Sequence, residues 1–419
     1  MKKLSLAIAT CMLAGCGSDK ESISEVPTLQ SCEIAAQNQY VYDVMKDSYL
    51  WADQVPRLRP KNYDSPQALL NDITENILDD IWSTIFDSEA VFNGRSYYGY
   101  GVNWDYADET QETMVLHFVY ENSPAGEAGL SRSQLVYQIN GKPVSQFDSY
   151  EDISNELDPA EQATFTFADA NGEFYDITLD KDTVTTPPVL ASKVINVDGI
   201  KYGYLAYNLR NQITLRSELS NIFESFESES VDEIILDLRY SQGGYADYAN
   251  FPASLIGGEN VDGEVFAMYR HNDKYADKDW GMLFEGTSII GYDKLTVITS
   301  SDTCGAGEVL INALSPFIDV QTVGDTTCGN PYGSYGYSLC EGLTFIPIEF
   351  QYANASDFSD FTEGFSPQCD AQDDTSKALG DESEEMLNAA ITYTRTGQCP
   401  EAPSGSPKRT SINKKPKQI

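Results

Sequence analysis

The pattern of apolar and polar positions changes twice along the chain. From residue 32 to about residue 88, apolar residues recur at helical spacing: Val41, Val44, Met45 and Tyr49, then Leu69, Leu70, Ile73 and Ile77. Intervals of three and four place such residues on one face of a helix. The spacing predicts a small helical domain. Asp64-Ser65-Pro66 opens its second helix, because Ser supplies a capping oxygen and Pro fits the first turn. From Tyr98 to about Lys181 the pattern becomes short strands and turns. Residues 114–120, 135–139, 163–167 and 174–179 read as strands, with turns at Asn140-Gly141 and Asn171-Gly172. Thr185-Thr186-Pro187-Pro188 marks a boundary. From about Val189 to Cys399 strands alternate with helices. Residues 202–207, 233–238, 295–299 and 320–324 read as strands, and 216–227 and 308–314 as helices. That alternation predicts an α/β domain with a largely parallel sheet.

The first residues follow a different logic. Lys2 and Lys3 precede an apolar run that ends at Ala14, and Gly15-Cys16 follow. The run is shorter than the roughly 20 residues a spanning helix needs, so it reads as a secretory signal. Leu13-Ala14-Gly15-Cys16 matches a bacterial lipobox. Residues 1–15 are therefore expected to be removed, Cys16 to carry lipid, and 16–31 to act as a tether. Gly17 and Ser18, with no Asp beside the cysteine, point to the outer membrane rather than the inner one, with the chain facing the periplasm or the cell surface.

Charge and cysteines narrow the partners. The formal net charge of −38 repels nucleic acid and anionic lipid headgroups, which excludes both as ligands. Residues 401–419 reverse the sign with Lys408, Arg409, Lys414, Lys415 and Lys417, and read as a disordered basic tail. Beyond Cys11 and Cys16, the cysteines are Cys32, Cys304, Cys328, Cys340, Cys369 and Cys399. Six cysteines in an oxidising compartment imply disulfides and allow 15 pairings. Cys328 with Cys340 is the expected pair, as a clamp on the Gly/Tyr-rich loop between them. No cysteine spacing suits zinc, and with only His117 and His271 present no metal is expected.

Three stretches carry chemistry. The first runs from Glu121-Asn122-Ser123-Pro124-Ala125 through Ala128-Gly129-Leu130 to Ile139-Asn140-Gly141-Lys142-Pro143-Val144. It resembles a PDZ domain of the bacterial protease type. Ser133-Gln134 stands where such domains usually have Gly-Asp. The second is Leu236-Asp237-Leu238-Arg239 followed by Gln242-Gly243-Gly244. Its Asp/Arg pair reads as structural, and its glycines let backbone N–H groups approach a carbonyl. The third joins Ser300–Glu308 to Gly324-Asp325 and Cys328-Gly329-Asn330. Together these resemble the C-terminal-processing (tail-specific) serine peptidases. The resemblance implies an α/β multidomain fold: an N-terminal helical domain (32–97), a PDZ β-domain (98–185) and an α/β peptidase core (186–400) of the ClpP/crotonase-like type.

The resemblance also assigns positions. The family's nucleophilic Ser falls three residues before Glu308, at Gly305, and its general-base Lys falls at Asn330. The two positions are 25 residues apart, which matches the family's spacing. Gly243, Gly244 and Ala306 are the oxyanion candidates. Tyr98, Gly99, Tyr100, Gly101 and Val102 form the candidate carboxylate-binding loop of the PDZ domain. Glycine cannot attack and an asparagine amide cannot serve as a base. The expectation is a pseudopeptidase that binds peptides, or unfolded or C-terminal segments of envelope proteins, without a cofactor. The alternative is an active serine-type endopeptidase that processes periplasmic proteins near their C-termini. His271, in the polar run His271-Asn272-Asp273-Lys274, is expected on the surface, and Lys294 in solvent.

Overall fold

A computed structural model describes residues 27–75, 77, 80–87, 96–108, 110–209 and 215–401. The expected signal, Cys16 and the basic stretch from residue 402 onward lie outside the described residues. Among the described residues no helix is long and apolar enough to cross a membrane.

The helical region holds α1 (Ile34–Asp47) and α2 (Pro66–Thr74). The Ser65 side chain caps α2 by accepting from Ala68 N–H at 3.1 Å. The predicted apolar face is buried, but it does not close on itself. Val41, Val44, Met45, Leu69, Leu70 and Ile73 share a core with Leu339, Phe345 and Ile348. The strand Thr84–Asp87 pairs antiparallel with Leu343–Ile346. This region is thus completed by residues far down the chain.

The middle domain has two small antiparallel sheets around one core that includes Leu116, Val136, Ile139, Phe165 and Phe167. One sheet contains β1 (Val102–Tyr106) and β2 (Met114–Val119), followed by Leu135–Val136. The other orders Lys142–Pro143, Gln138–Ile139, Gln162–Ala168 and Phe174–Asp180. The stretch 135–139, expected as one strand, is therefore split between two sheets. Two helices, α3 (Pro124–Glu127) and α4 (Tyr150–Leu157), are capped by the Ser123 and Ser149 side chains. Ser133 adopts φ +78°. This is the left-handed backbone that favours glycine, so the conformation persists at the position where the resemblance expects Gly.

The large domain is built on a six-stranded sheet in the order β3 (Val189–Val197), β4 (Ile200–Tyr207), β5 (Glu233–Asp237), β6 (Lys294–Thr299), β7 (Asp319–Gly324) and β8 (Cys369–Asp370). β3 pairs antiparallel with β4, and every later pair is parallel. Parallel strands buried on both faces read as continuous apolar runs, and Ile234, Ile235 and Leu236 are fully buried. On one face lie α5 (Leu215–Ser228), α6 (Ala246–Gly257) and α7 (Ala306–Leu314), whose side chains join Leu236, Leu295 and Val297 in one cluster. On the other face α8 (Glu385–Thr396) packs Met386, Leu387 and Ala390 against Ile235, Ile298 and Val323. A second, antiparallel sheet orders Trp280–Leu283, Val265–His271, Phe350–Ala353 and Tyr332–Gly333. His271 ends one of its strands. Its side chain is 10% exposed and lies against Asp279 and Tyr335, so the surface loop expected there is replaced by a covered strand end.

Candidate active site

The carboxyl ends of β5, β6 and β7 meet at one place, the position where parallel α/β sheets open for ligands. Beyond β5 the chain runs through Asp237 and Arg239 into the turn of Gly243 and Gly244. Arg239 is 1% exposed. Its guanidinium donates to Asp237 at 2.8–3.1 Å, to both oxygens of Glu384 at 2.8 and 2.9 Å, and to Asp373 at 2.7 Å. Tyr204 Oη adds a bond to Asp237 at 2.8 Å. A buried cation with several anionic partners is stable only when each is satisfied. Here the cluster pins the strand end to the segment near Asp373 and to Glu384, which caps α8. Burial pushes the Asp373 carboxyl up, but Arg239, Arg132 and His117 outweigh it and hold the group well below the usual carboxylate range. Arg132 belongs to the middle domain. It pairs with Asp373 at 2.5 Å, donates to Tyr240 and bonds the Lys377 carbonyl at 2.7 Å. The middle domain therefore docks on the segment beside the cleft.

The turn after Gln242 needs its glycines. Gly243 has φ +73° and Gly244 φ +110°. A Cβ on Gly244 would lie 2.8 Å from the Leu209 carbonyl oxygen, closer than real contacts allow. Opposite stands the strand-to-helix turn from β6 to α7. Gly305 is its N-cap, at φ +52° and ψ −105°. A sharp strand-to-helix turn of this kind exposes the nucleophile in α/β-hydrolases, and only glycine adopts this backbone without strain. A Cβ built on Gly305 would sit 3.5 Å from Gly243 Cα and 3.9 Å from Asn330 Nδ2. The structure thus brings together Gly305, Ala306, Gly243, Gly244 and Asn330.

Glu308 organises this meeting. It is fully buried. One oxygen accepts from Thr327 Oγ1 at 2.5 Å and Gly329 N–H at 2.7 Å, and the other from Gly305 N–H at 3.0 Å and Asn330 N–H at 2.8 Å. Burial pushes its carboxyl up, and these hydrogen bonds pull it only part of the way back. Sequence reasoning used Glu308 as a landmark and missed its role. The available signal was its place three residues after the N-cap, where a carboxylate returns to the cap N–H.

The cysteines correct one expectation. Cys328 pairs with Cys304 and Cys340 with Cys32, so the expected Cys328–Cys340 bond does not form. Cys340 lies beside the strands that complete the helical region, where its backbone N–H meets Gln37 Oε1, whereas Cys328 faces the start of α7. The third disulfide joins Cys369 to Cys399. Cys304 is therefore not a free thiol.

The other candidates are accounted for. Ser300 Oγ donates to the Arg239 carbonyl at 2.5 Å, and Thr303 Oγ1 to the Leu238 carbonyl at 3.0 Å. Lys294 starts β6, at the far end of the strand from Gly305. It bonds the Thr394 carbonyl and lies 3.8 Å from Glu233 rather than in solvent. The loop of Tyr98, Gly99, Tyr100, Gly101 and Val102 is not part of this cleft. Tyr98 and Gly99 lie in a strand, Ser96–Gly99, that pairs with Asp182–Thr185, and Tyr100 belongs to the middle domain's core. Gly101, at φ +89°, stands against Ser123.

Residues 36–84 match the Peptidase S41 N-terminal domain, and residues 201–369 match Peptidase family S41. The chain belongs to peptidase family S41. The S41 match spans Asp237, Gly243, Gly305, Glu308 and Asn330. The chain is 22% identical over 348 residues to Carboxyl-terminal-processing peptidase 3, chloroplastic, of Arabidopsis thaliana, a match covering 80% of this chain and 65% of that protein. It is 23% identical over 310 residues to carboxy-terminal processing protease CtpA of Bacillus subtilis (strain 168), covering 70% of this chain and 61% of the relative. It therefore spans a little under two thirds of the length of these curated relatives. A candidate S41 protease from Bacteroides fragilis NCTC 9343 has the same fold, with a TM-score of 0.70 at 24% identity over 86% of this chain and 97% of that one.

Proposed function

We propose that this S41 family member is catalytically silent, a pseudopeptidase that binds peptides or the C-termini of cell-envelope proteins through its middle β-domain and its cleft. One observation carries the reading. Gly305 has no side chain, and beyond its chain neighbours the side-chain atom nearest to where its Cβ would sit is the amide Nδ2 of Asn330, 3.9 Å away. Amide hydrolysis by this route needs a nucleophile and a base that takes its proton. Neither residue supplies one. The neighbouring hydroxyls of Ser300, Thr303 and Thr327 are committed to other acceptors, and Cys304 is in a disulfide. Gly243, Gly244 and Ala306 could still cradle a peptide carbonyl.

The middle domain, PDZ-like in its motifs, supplies the second contact. β1 is an end strand of its sheet in the order β1, β2, Leu135–Val136. Tyr150, the first residue of α4, stands against β1, its ring 5.0 Å from that of Tyr106. An extended peptide can add to such an edge as a strand, with its carboxylate at the Tyr98–Val102 loop. A lipid on Cys16 would hold the chain at the envelope, facing the periplasm, most simply on the outer membrane.

The test uses the purified mature chain, an unstructured casein substrate and the double variant Gly305→Ser, Asn330→Lys. The expected result is peptide binding without cleavage by the native chain, and proteolysis gained by the variant. Cleavage by the native chain at rates above buffer would overturn the reading in favour of a serine-type endopeptidase with another nucleophile.

A further inference from the structure

The cross-link beside the cleft is the feature that the proposed function leaves unused. Cys304 directly precedes Gly305, Cys328 stands two residues before Asn330, and their sulfurs are bonded. The other two disulfides lie elsewhere: Cys32–Cys340 closes the helical region, and Cys369–Cys399 ties β8 to the segment after α8. Between the two loops of the cleft, the remaining links are hydrogen bonds. Cys328 N–H donates to the Thr303 carbonyl at 3.1 Å, and Glu308 gathers Thr327, Gly329, Gly305 and Asn330. The two sulfurs and a Glu308 oxygen lie within 4.8 Å of one another, a spacing that would also suit a cation after reduction. Each Glu308 oxygen already accepts two donors, however, which leaves that carboxylate no free acceptor site for an ion.

We propose that the Cys304–Cys328 disulfide is a thiol-exchange site at which a dithiol reductant loosens the cleft and weakens its hold on a peptide, an inference that rests on the peptide-binding reading above. The two sulfurs are unequal. Cys304 is 6% exposed and Cys328 is half-buried, so a reductant thiolate reaches Cys328 Sγ. The attack forms a bond from the reductant sulfur to Cys328 Sγ and breaks the Cys304–Cys328 bond. The electron pair leaves on Cys304 Sγ. Cys304 stands at the N-terminal end of α7, where backbone N–H groups favour negative charge. Cys328 Sγ lies 3.3 Å from Glu308 Oε2, so a thiolate there would face a like charge. The reductant's second thiol then displaces Cys328 and closes the reductant's own disulfide. Two electrons and two protons pass to the protein. The Gly329–Asn330 segment is afterwards held by hydrogen bonds alone.

The experiment treats the mature chain with graded dithiothreitol, alkylates it, maps the labelled cysteines and follows amide hydrogen exchange and the binding of a fluorescent unstructured peptide. We expect Cys304 and Cys328 to label together, exchange at Gly329 and Asn330 to rise about tenfold or more, and peptide affinity to fall about fivefold in step. A Cys304→Ser, Cys328→Ser variant should show both changes without reductant, and a Cys369→Ser, Cys399→Ser variant neither. If the double serine variant does not fold, the reductant series on the native chain decides. Unchanged exchange at Gly329 and Asn330 with Cys304 and Cys328 fully alkylated overturns the proposal. If the oxidised chain binds no peptide, the function reading fails, and the exchange measurement still decides whether the disulfide holds the loop.

Discussion

Two sets of buried acids in the large domain are held in opposite ways. Asp237 and Glu384 share one guanidinium, that of Arg239, with Asp373 as a third anion at its edge. Glu308 is equally buried, but no Lys or Arg pairs with it among the described residues. It is held by three backbone N–H groups and one hydroxyl. The first arrangement joins segments remote in sequence, and the second joins two loops of one cleft. A cation compensates charge at several points at once, so its loss exposes several acids together. Neutral dipoles compensate one acid, and their loss stays local. The resemblance expects a lysine at position 330, where this chain has Asn, so the acid beside that position is held by neutral donors, whereas the acids that anchor the sheet share a cation.

The sharpest way to break this comparison is Arg239→Met. It leaves Asp237 and Glu384 buried without their cation and Asp373 with Arg132 alone, and should cost about 3–5 kcal/mol, read as a lower urea midpoint. Glu308→Gln should cost less, about 2–3 kcal/mol, because its amide nitrogen faces two N–H donors that then lack an acceptor. Its damage should appear as faster amide exchange confined to Gly305, Gly329 and Asn330. Gly305→Ser alone should cost about 1–2 kcal/mol, the strain of a side chain at φ +52°. Ser133→Gly should have the smallest effect, a gain of about 0.5–1 kcal/mol, because glycine carries φ +78° freely.

Acid separates the two sets further. Asp373 is held below the usual range in the folded chain. Its stabilising contribution is therefore complete above the unfolded carboxylate value, about 4, and is lost as pH falls through the folded value. Stability should drop steeply below about pH 4, and Asp373→Asn should flatten that slope. Glu308 shifts the other way. Its contribution is present below the unfolded value and lost as pH rises through the folded one, so Glu308→Gln should remove a part of the stability that is greatest in acid.

Local signals explain what was legible. The strand ending at Asp237, the Gly243–Gly244 turn and the start of α7 each follow from a few adjacent residues, and the 25-residue spacing carried Gly305 to Asn330. The rest depends on contacts no local pattern encodes. Glu384 lies 145 residues from Arg239, and the cysteines had many ways to pair. α6 is buried along most of its length and contains Pro252, so it has no polar face to give it a helical period. Its sequence reads as neither helix nor strand. His271 looked like loop because polar residues follow it, yet strand pairing with Phe350 decides its place.

The Cys32–Cys340 bond spans 308 residues. It cannot form until the chain has folded far enough for residue 340 to reach residue 32, so the helical region is cross-linked late. Once formed, it makes a covalent ring that encloses the whole middle domain and the cleft. A single protease nick anywhere within that ring would leave both fragments on one molecule, intact by mass until a reductant is added.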